Sequence, residues 1–444
     1  MPDADDYRDR TVLVIGYGRT GAAVTSFLLG AGARVRVSDR RPAAELGDVP
    51  TDPRLEQRCG GEDLADLTDV ALVVPSPGVA ADAPLLRAAV RRGIPIRAEI
   101  EVAARALAIP LLAVTGTNGK STTTTLLGEM LRAGGERPFV GGNLGTPLIT
   151  AVGGRHSMAV VEVSSFQLEW VERFRPRVGV LLNVTEDHLD RYADLDAYGA
   201  IKLRLFARQT AEDVAIVNGG DPWIRRHATA LHAATLWFGA GEGVALRADA
   251  AAIRMRLDGR EEVYPLARVA LTGAHNRENM MAAIAAARAV GIAPAAVQEA
   301  LEAFHGLPHR IELVREHDGV RWIDDSKGTN VGALIKSLEG HNRSVVLLAG
   351  GIDKGGDYGL LTEPVRRAVK RAILFGAARE MLARTLGGAT AVELVDSLAE
   401  AVTRAAATAS AGDTVLLSPA CASFDMFRDY ADRGCQFQAL VHAL

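Results

Sequence analysis

Short apolar runs, each closed by a glycine-rich or polar turn, set the pattern of this chain. Thr11 to Ile15 reads as a strand, Gly16-Tyr17-Gly18-Arg19-Thr20-Gly21 as the turn that closes it, and the next residues as an apolar helix to about Gly30. Arg34 to Ser38 is a second strand, ending at Asp39. Ala71 to Val74 runs into Pro75-Ser76-Pro77-Gly78, and Ile94 to Ile96 closes a first domain near residue 98. Further on, Leu111 to Val114, Met158 to Val163 and Val178 to Leu182 read as buried strands, Ala197 to Leu203 as a helix, and Gly273 opens an alanine-rich helix. Gly306-Leu307-Pro308-His309-Arg310 reads as a hinge. Beyond it, Val320–Ile323, Ser344–Leu348, Ala372–Phe375, Ala391–Leu394 and Thr414–Leu417 alternate with helical stretches. Apolar runs between turn signals, alternating with helices, predict parallel sheets. The expected fold is α/β in three domains: a Rossmann-like domain over 1–98, a central P-loop-type ATPase domain with a parallel sheet over 99–306, and a doubly wound Rossmann-like domain over 307–444.

The 444 residues suit three domains of roughly 100–200 residues each. A net charge of −4 with both signs interspersed favours no nucleic-acid partner. Cys59, Cys421 and Cys435 are odd in number and far apart, which fits a reducing compartment and argues against a disulfide framework or a zinc cluster. The polar start MPDADDYRDR is not a signal peptide, and no apolar run approaches the ~20 residues that span a bilayer. A cytoplasmic monomer acting on small molecules is expected. Of 50 basic residues only six are lysine: Lys120, Lys202, Lys327, Lys336, Lys354 and Lys370. Where arginine serves for any cation, a retained lysine marks a place needing a compact charge or a reactive amine. The neighbours of Lys120, Lys202, Lys327 and Lys354 support that reading; Lys336 and Lys370 read as chance.

Candidate chemistry gathers at the strand ends. Thr115-Gly116-Thr117-Asn118-Gly119-Lys120-Ser121-Thr122 after a strand and before a helix makes a phosphate cradle. Glycines admit phosphate oxygens to the backbone, and amides at the helix start point at them. Lys120 would meet the β/γ-phosphates and Ser121 would hold Mg²⁺. The loop is shorter than the common form, with two residues rather than four between its glycines. Glu162, and His188 within Asn183-Val184-Thr185-Glu186-Asp187-His188-Leu189-Asp190, offer an oxygen and a nitrogen to Mg²⁺. The first glycine turn with Asp39 matches the dinucleotide fingerprint, yet its physics calls only for a pyrophosphate on the helix start, which a UDP group satisfies equally. Asn276 and Asn279 are three apart and share a helix face suited to a flat heterocycle, with capping as the competing role for Asn276. In the third domain, Lys327, Thr329, Lys354 and Ser423 follow strands and would together hold an anionic small molecule.

VTGTNGKST (114–122), GGNLG (141–145), EVSSFQLE (162–169), NVTEDHLDRY (183–192), GAHNRENM (273–280), GLPHR (306–310), DDSKGTN (324–330), GGIDKG (350–355) and SPACASFD (418–425) together resemble the Mur ligases, ATP-dependent amide-forming enzymes of peptidoglycan synthesis. The resemblance covers all three domains and is greatest to the branch that adds D-glutamate to UDP-N-acetylmuramoyl-L-alanine. The loop and the GAHNRENM and GLPHR motifs are also similar to folylpolyglutamate synthase. The resemblance implies that Arg19, Thr20, Asp39 and Gly78 bind the UDP portion, and that Asn143, Ser164, Gln167 and His188 serve the muramoyl substrate. It implies that ATP is held by Gly116, Thr117, Asn118, Gly119, Lys120, Ser121, Thr122, Asn276, Asn279, Arg310 and Asp325. D-Glutamate would contact Thr329, Lys354, Ser423 and Phe424. One Mg²⁺ would sit on Ser121 and Glu162, and a second on His188 and a carbamylated Lys202; Lys120, His188 and Lys202 would be catalytic, and no NAD is expected. Arg40 and Tyr430 fill positions that vary.

Overall fold

The computed structural model describes residues 7–188, 191–257, 259–353 and 356–444. The chain divides into two compact units, one of residues 1–184 with 194–305, the other of residues 185–193 with 306–444. The segment 185–193, expected in the central domain, thus belongs to the second unit, where the Asn330 amide donates to Asp187 Oδ2 at 3.5 Å.

The first unit holds two sheets. Strands β1 (Thr11–Ile15), β2 (Arg34–Asp39), β3 (Leu55–Cys59) and β4 (Val70–Pro75) form a parallel sheet in the order β3-β2-β1-β4. Ile94 to Ile96 adds only a bridge from Ile96 to Val73. The second sheet contains β5 (Leu111–Thr115), β6 (Pro138–Gly142), β7 (Met158–Glu162), β8 (Val178–Leu181), β9 (Val214–Asn218), β10 (Ala234–Phe238), β11 (Leu246–Ala248), β12 (Ala252–Leu257) and β13 (Arg260–Pro265). Its order is β13-β12-β11-β10-β9-β8-β5-β7-β6, parallel except where β12 pairs with β11 and β13. Every residue of β5, β7 and β8 is buried, as in a parallel sheet covered on both faces. The chain leaves β5 for β6 and β7 on one side and passes through β8 to the other, so the loop after β5 lies where the strand order reverses. In open α/β sheets this reversal leaves a crevice at the strand ends that receives ligands.

The second unit has one sheet, β14 (Glu312–His317), β15 (Val320–Asp324), β16 (Val345–Gly350), β17 (Val369–Phe375), β18 (Ala391–Leu394) and β19 (Thr414–Leu417), in the order β14-β15-β19-β16-β17-β18. Only β14 runs antiparallel to its neighbour. One core cluster, with Leu347, Leu374 and Leu416, covers one face, and another, with Trp322, Leu348 and Phe437, covers the other. Such alternation is what strand geometry demands of a sheet buried on both sides. Adjacent strands β15, β19 and β16 deliver the polar stretches 324–330, 418–425 and 350–353 to one edge. Among the described residues no helix is long and apolar enough to cross a membrane.

Candidate active site

The phosphate loop leaves β5 and ends where the helix Lys120–Ala133 starts. Gly119 caps that helix at φ 85°, a left-handed conformation that a side chain resists. A Cβ on Gly119 would also overlap Asn279 Oδ1, so the helix Ala274–Ala289 brings Asn279 against the loop. Asn276 is not the cap of that helix, which is Gly273; its amide donates one turn back to Thr272 O at 2.8 Å. Asn183, just beyond β8, braces the loop. Its Oδ1 accepts the Thr117 and Asn118 N–H groups at 3.0 and 2.8 Å, and its amide donates to Asn118 O at 3.1 Å. Sequence reasoning assigned Asn183 no role. Its position at the end of a strand beside β5 was the available signal.

Two lysines converge on this loop. Lys120 Nζ donates to Gly116 O at 2.9 Å and Thr117 O at 2.8 Å. Lys202, 1 % exposed on the helix Leu195–Leu203, donates to the same Gly116 O at 2.9 Å and lies over the Tyr198 ring. Lys202 is therefore buried and turned onto the loop. Glu162 pairs in register with Val114, at the end of the adjacent strand. Its Oε1 accepts from the Asn143 amide at 2.7 Å, while Oε2 is buried with no partner. A bare buried carboxylate oxygen is costly unless a cation or donor reaches it. Ser121 and Thr122 are buried in the first turn of the loop helix. Ser164 and Gln167 form a reciprocal capping box on the short helix Ser165–Leu168, so the structure engages each with the other.

In the first sheet, Gly16 adopts φ 84°, and a Cβ on Gly21 would overlap Gly16 O, which explains both glycines. Ser76 Oγ donates to Gly16 O at 2.8 Å across the point where this sheet reverses. Asp39 accepts the Tyr17 N–H at 2.7 Å and Arg41 through its backbone and guanidinium. The Arg41 hydrogen bonds hold its carboxyl down at about 2. Arg19 donates to Gly145 O at 2.8 Å, Thr20 lies in the same helix start, and Gly78 is exposed.

The second unit carries the remaining candidates. His188 has φ 55°, and its N–H donates to Asp187 Oδ1 at 3.0 Å. Asp325 is buried, with Ser337 and Ser418 hydroxyls donating to Oδ2 at 2.6 and 2.8 Å; burial raises its carboxyl to about 6, against the opposing charge of Arg310. Ser423 is 1 % exposed and its Oγ has no partner, whereas Phe424 is 70 % exposed. Lys327 Nζ lies 5.1 Å from the centre of the Tyr430 ring, and the Thr329 N–H donates to Lys327 O. Lys354 lies outside the described residues.

Family models for the Mur ligase MurD-like N-terminal domain, the Mur ligase middle domain and the Mur ligase glutamate ligase domain match residues 10–98, 114–287 and 309–421. A UDP-N-acetylmuramoylalanine–D-glutamate ligase of Syntrophotalea carbinolica is 47 % identical over 99 % of both chains. The chain belongs to the Mur ligase family. A ligase of the same name from Geobacter metallireducens is 46 % identical over 98 % of each. A MurF ligase of Thermotoga maritima, solved in complex with ADP, shares the fold at 16 % identity, with a TM-score of 0.61 over 100 % of this chain and 97 % of its own. The three matched stretches place this Mur ligase's phosphate loop at the start of the middle-domain match. Its buried Asp325 lies within the glutamate ligase match, and Ser423 just past the end of it.

Proposed function

We propose that this Mur ligase joins D-glutamate to the alanyl carboxylate of UDP-N-acetylmuramoyl-L-alanine, at the expense of ATP. The observation that carries the reading is the end-to-end identity with ligases named for that reaction. ADP in the Thermotoga MurF ligase and the loop's own geometry support ATP as the nucleotide. The carboxylate takes the γ-phosphoryl group to give an acyl phosphate, the D-glutamate amine attacks, and phosphate leaves. Asn183 braces the loop, Lys120 would neutralise the transferring phosphoryl group, and Asn279, packed against Gly119, is assigned to the nucleotide.

The donor set fits magnesium. The orphaned Glu162 Oε2 and the buried Ser121 would hold one cation; a second ion, with His188 and a carbamylated Lys202 as its ligands, is assigned by resemblance alone. Such a cation supplies charge neutralisation between a carboxylate and the γ-phosphate. Arg19, Thr20, Asp39 and Gly78 are assigned to the UDP group, Asn143, Ser164 and Gln167 to the muramoyl portion, and Thr329, Lys354, Ser423 and Phe424 to D-glutamate. The domain roles are assigned as 1–98 for UDP, 99–306 for ATP, apart from 185–193 which groups with the second unit, and 307–444 for the amino acid, in a cytoplasmic monomer.

An amino-acid panel tests the specificity. With UDP-N-acetylmuramoyl-L-alanine and ATP, D-glutamate is expected to give ADP and a dipeptidyl product, while L-glutamate, glycine and meso-diaminopimelate give background. Equal turnover with another amino acid would reassign the branch.

A further inference from the structure

Outside these candidates, the second unit contains a cysteine, a histidine and an aspartate in series. Cys435 Sγ lies 3.6 Å from His309 Nε2, and His309 Nδ1 lies 2.7 Å from Asp324 Oδ2. Cys435 is exposed, whereas His309 and Asp324 are 7 % and 0 % exposed. The aspartate is held firmly. Ser326 N–H donates to Oδ1 at 2.9 Å, and the Gln438 amide donates to Oδ2 at 3.0 Å and to Glu312 Oε2 at 3.1 Å. The His309 N–H also donates to Glu312 Oε2, at 2.7 Å. A carboxylate so placed accepts a hydrogen bond from Nδ1–H, which leaves Nε2 as the acceptor facing the thiol.

The approach is built into the backbone. Cys435 and Gln438 are three apart on the helix Tyr430–His442 and share one face. Gly434 of the same helix faces the imidazole, where a Cβ would overlap His309 Nδ1. The ligand atoms of His309, Glu312 and Asp324 lie within 4.8 Å of one another, but the Gln438 amide nitrogen already bonds the two carboxylates there. A hydrogen-bond donor fills the place that a cation would need. What remains open is the sulfur.

We propose that Cys435 is an activated thiol and a site of oxidative modification by hydroperoxides, with His309 as its base and Asp324 as the residue that orients the base. The thiol proton passes to His309 Nε2 as sulfur attacks the terminal oxygen of the hydroperoxide. The S–O bond forms and the O–O bond breaks. Sulfur is oxidised by two electrons, the peroxide is reduced by two, and the departing oxygen takes the proton from Nε2 as water or alcohol. The product is a sulfenic acid at Cys435. The same groups support a neighbouring loop: His309 O accepts the Lys327 N–H at 3.0 Å and Asp324 the Ser326 N–H. Oxygen on the sulfur therefore alters the contact that sets the stretch carrying Asp325 and Thr329.

The test compares the full chain with itself. Iodoacetamide at neutral pH is applied to folded and urea-unfolded protein, and the rate at each cysteine is read by peptide mass spectrometry. An ordinary thiol is only a few per cent thiolate there, so activation raises the rate about tenfold or more. Cys435 is expected to react that much faster folded than unfolded, while buried Cys421, whose thiol burial pushes up to about 11, reacts more slowly folded. Hydrogen peroxide followed by dimedone is expected to label Cys435. A Cys435 rate no faster in the folded chain than in the unfolded one would overturn the proposal, and so would the absence of a dimedone adduct. His309→Asn, if it folds, is expected to bring the folded rate to the unfolded value; the folded-to-unfolded comparison decides without it.

Discussion

Lys120 and Lys202 donate to one carbonyl oxygen, Gly116 O, from two separate helices. Two ammonium groups around one acceptor repel each other, and Lys202 does so in a buried place. Carbon dioxide on the Lys202 amine would turn that repulsion into an attraction and supply an anion to a cation. Lys202→Ala is therefore expected to lose about 100-fold or more in turnover, as when a charge-stabilising group is removed from an active site. Acetate or formate is expected to restore part of it. Unchanged turnover in steady-state assays would remove Lys202 from the mechanism. Lys336→Arg is the control, since Lys336 makes an exposed pair with Glu339 on the surface.

Asp39 carries a prediction in pH. Its carboxyl is held at about 2 by the Arg41 hydrogen bonds, below the ordinary aspartate value of 3.8. A depressed folded value means the ionised form stabilises the fold. That stability is present above about pH 4 and is lost as pH falls toward 2. The stability gap between the wild type and Asp39→Asn, read from urea midpoints, is expected to be constant from neutral pH to about 5 and to close below 4. A gap independent of pH would show that the Arg41 contact contributes nothing. The lysine scarcity made Lys202 legible in the sequence. The Asp39–Arg41 pair was not, because two residues two apart reveal nothing of which way their side chains turn.

At the scale of elements, the loop after β5 is the joint product of three pieces of chain: its own glycines, Asn183 beyond β8, and Asn279 on the helix Ala274–Ala289. Gly119 must be left-handed and must leave room for Asn279. Gly119→Ala is expected to raise KM for ATP about tenfold or more, since a left-handed alanine alone costs about 1–2 kcal/mol. Unaltered ATP affinity by calorimetry would contradict the contact. Turns and buried strands were readable because glycine, lysine and apolar runs are local signals. The long extension β9 to β13 and the edge strands β3 and β14 were not read. β3, β13 and β14 have mixed burial patterns in which no position is regularly apolar, so period alone does not separate them from loops. Asn183 was visible only as part of a motif, since its bonds cross 65 or more residues of sequence.

For the whole molecule, the chain places its phosphate loop, Lys202 and Glu162 in one unit and Asp325, Thr329 and Ser423 in another. The family models match residues 10–98, 114–287 and 309–421, so the likeness to Mur ligases runs through both units. The direct measurement is phosphate release from ATP by purified protein, with each substrate omitted in turn. The account predicts sustained release only when UDP-N-acetylmuramoyl-L-alanine and D-glutamate are both present. Equal sustained release with either one left out would contradict it.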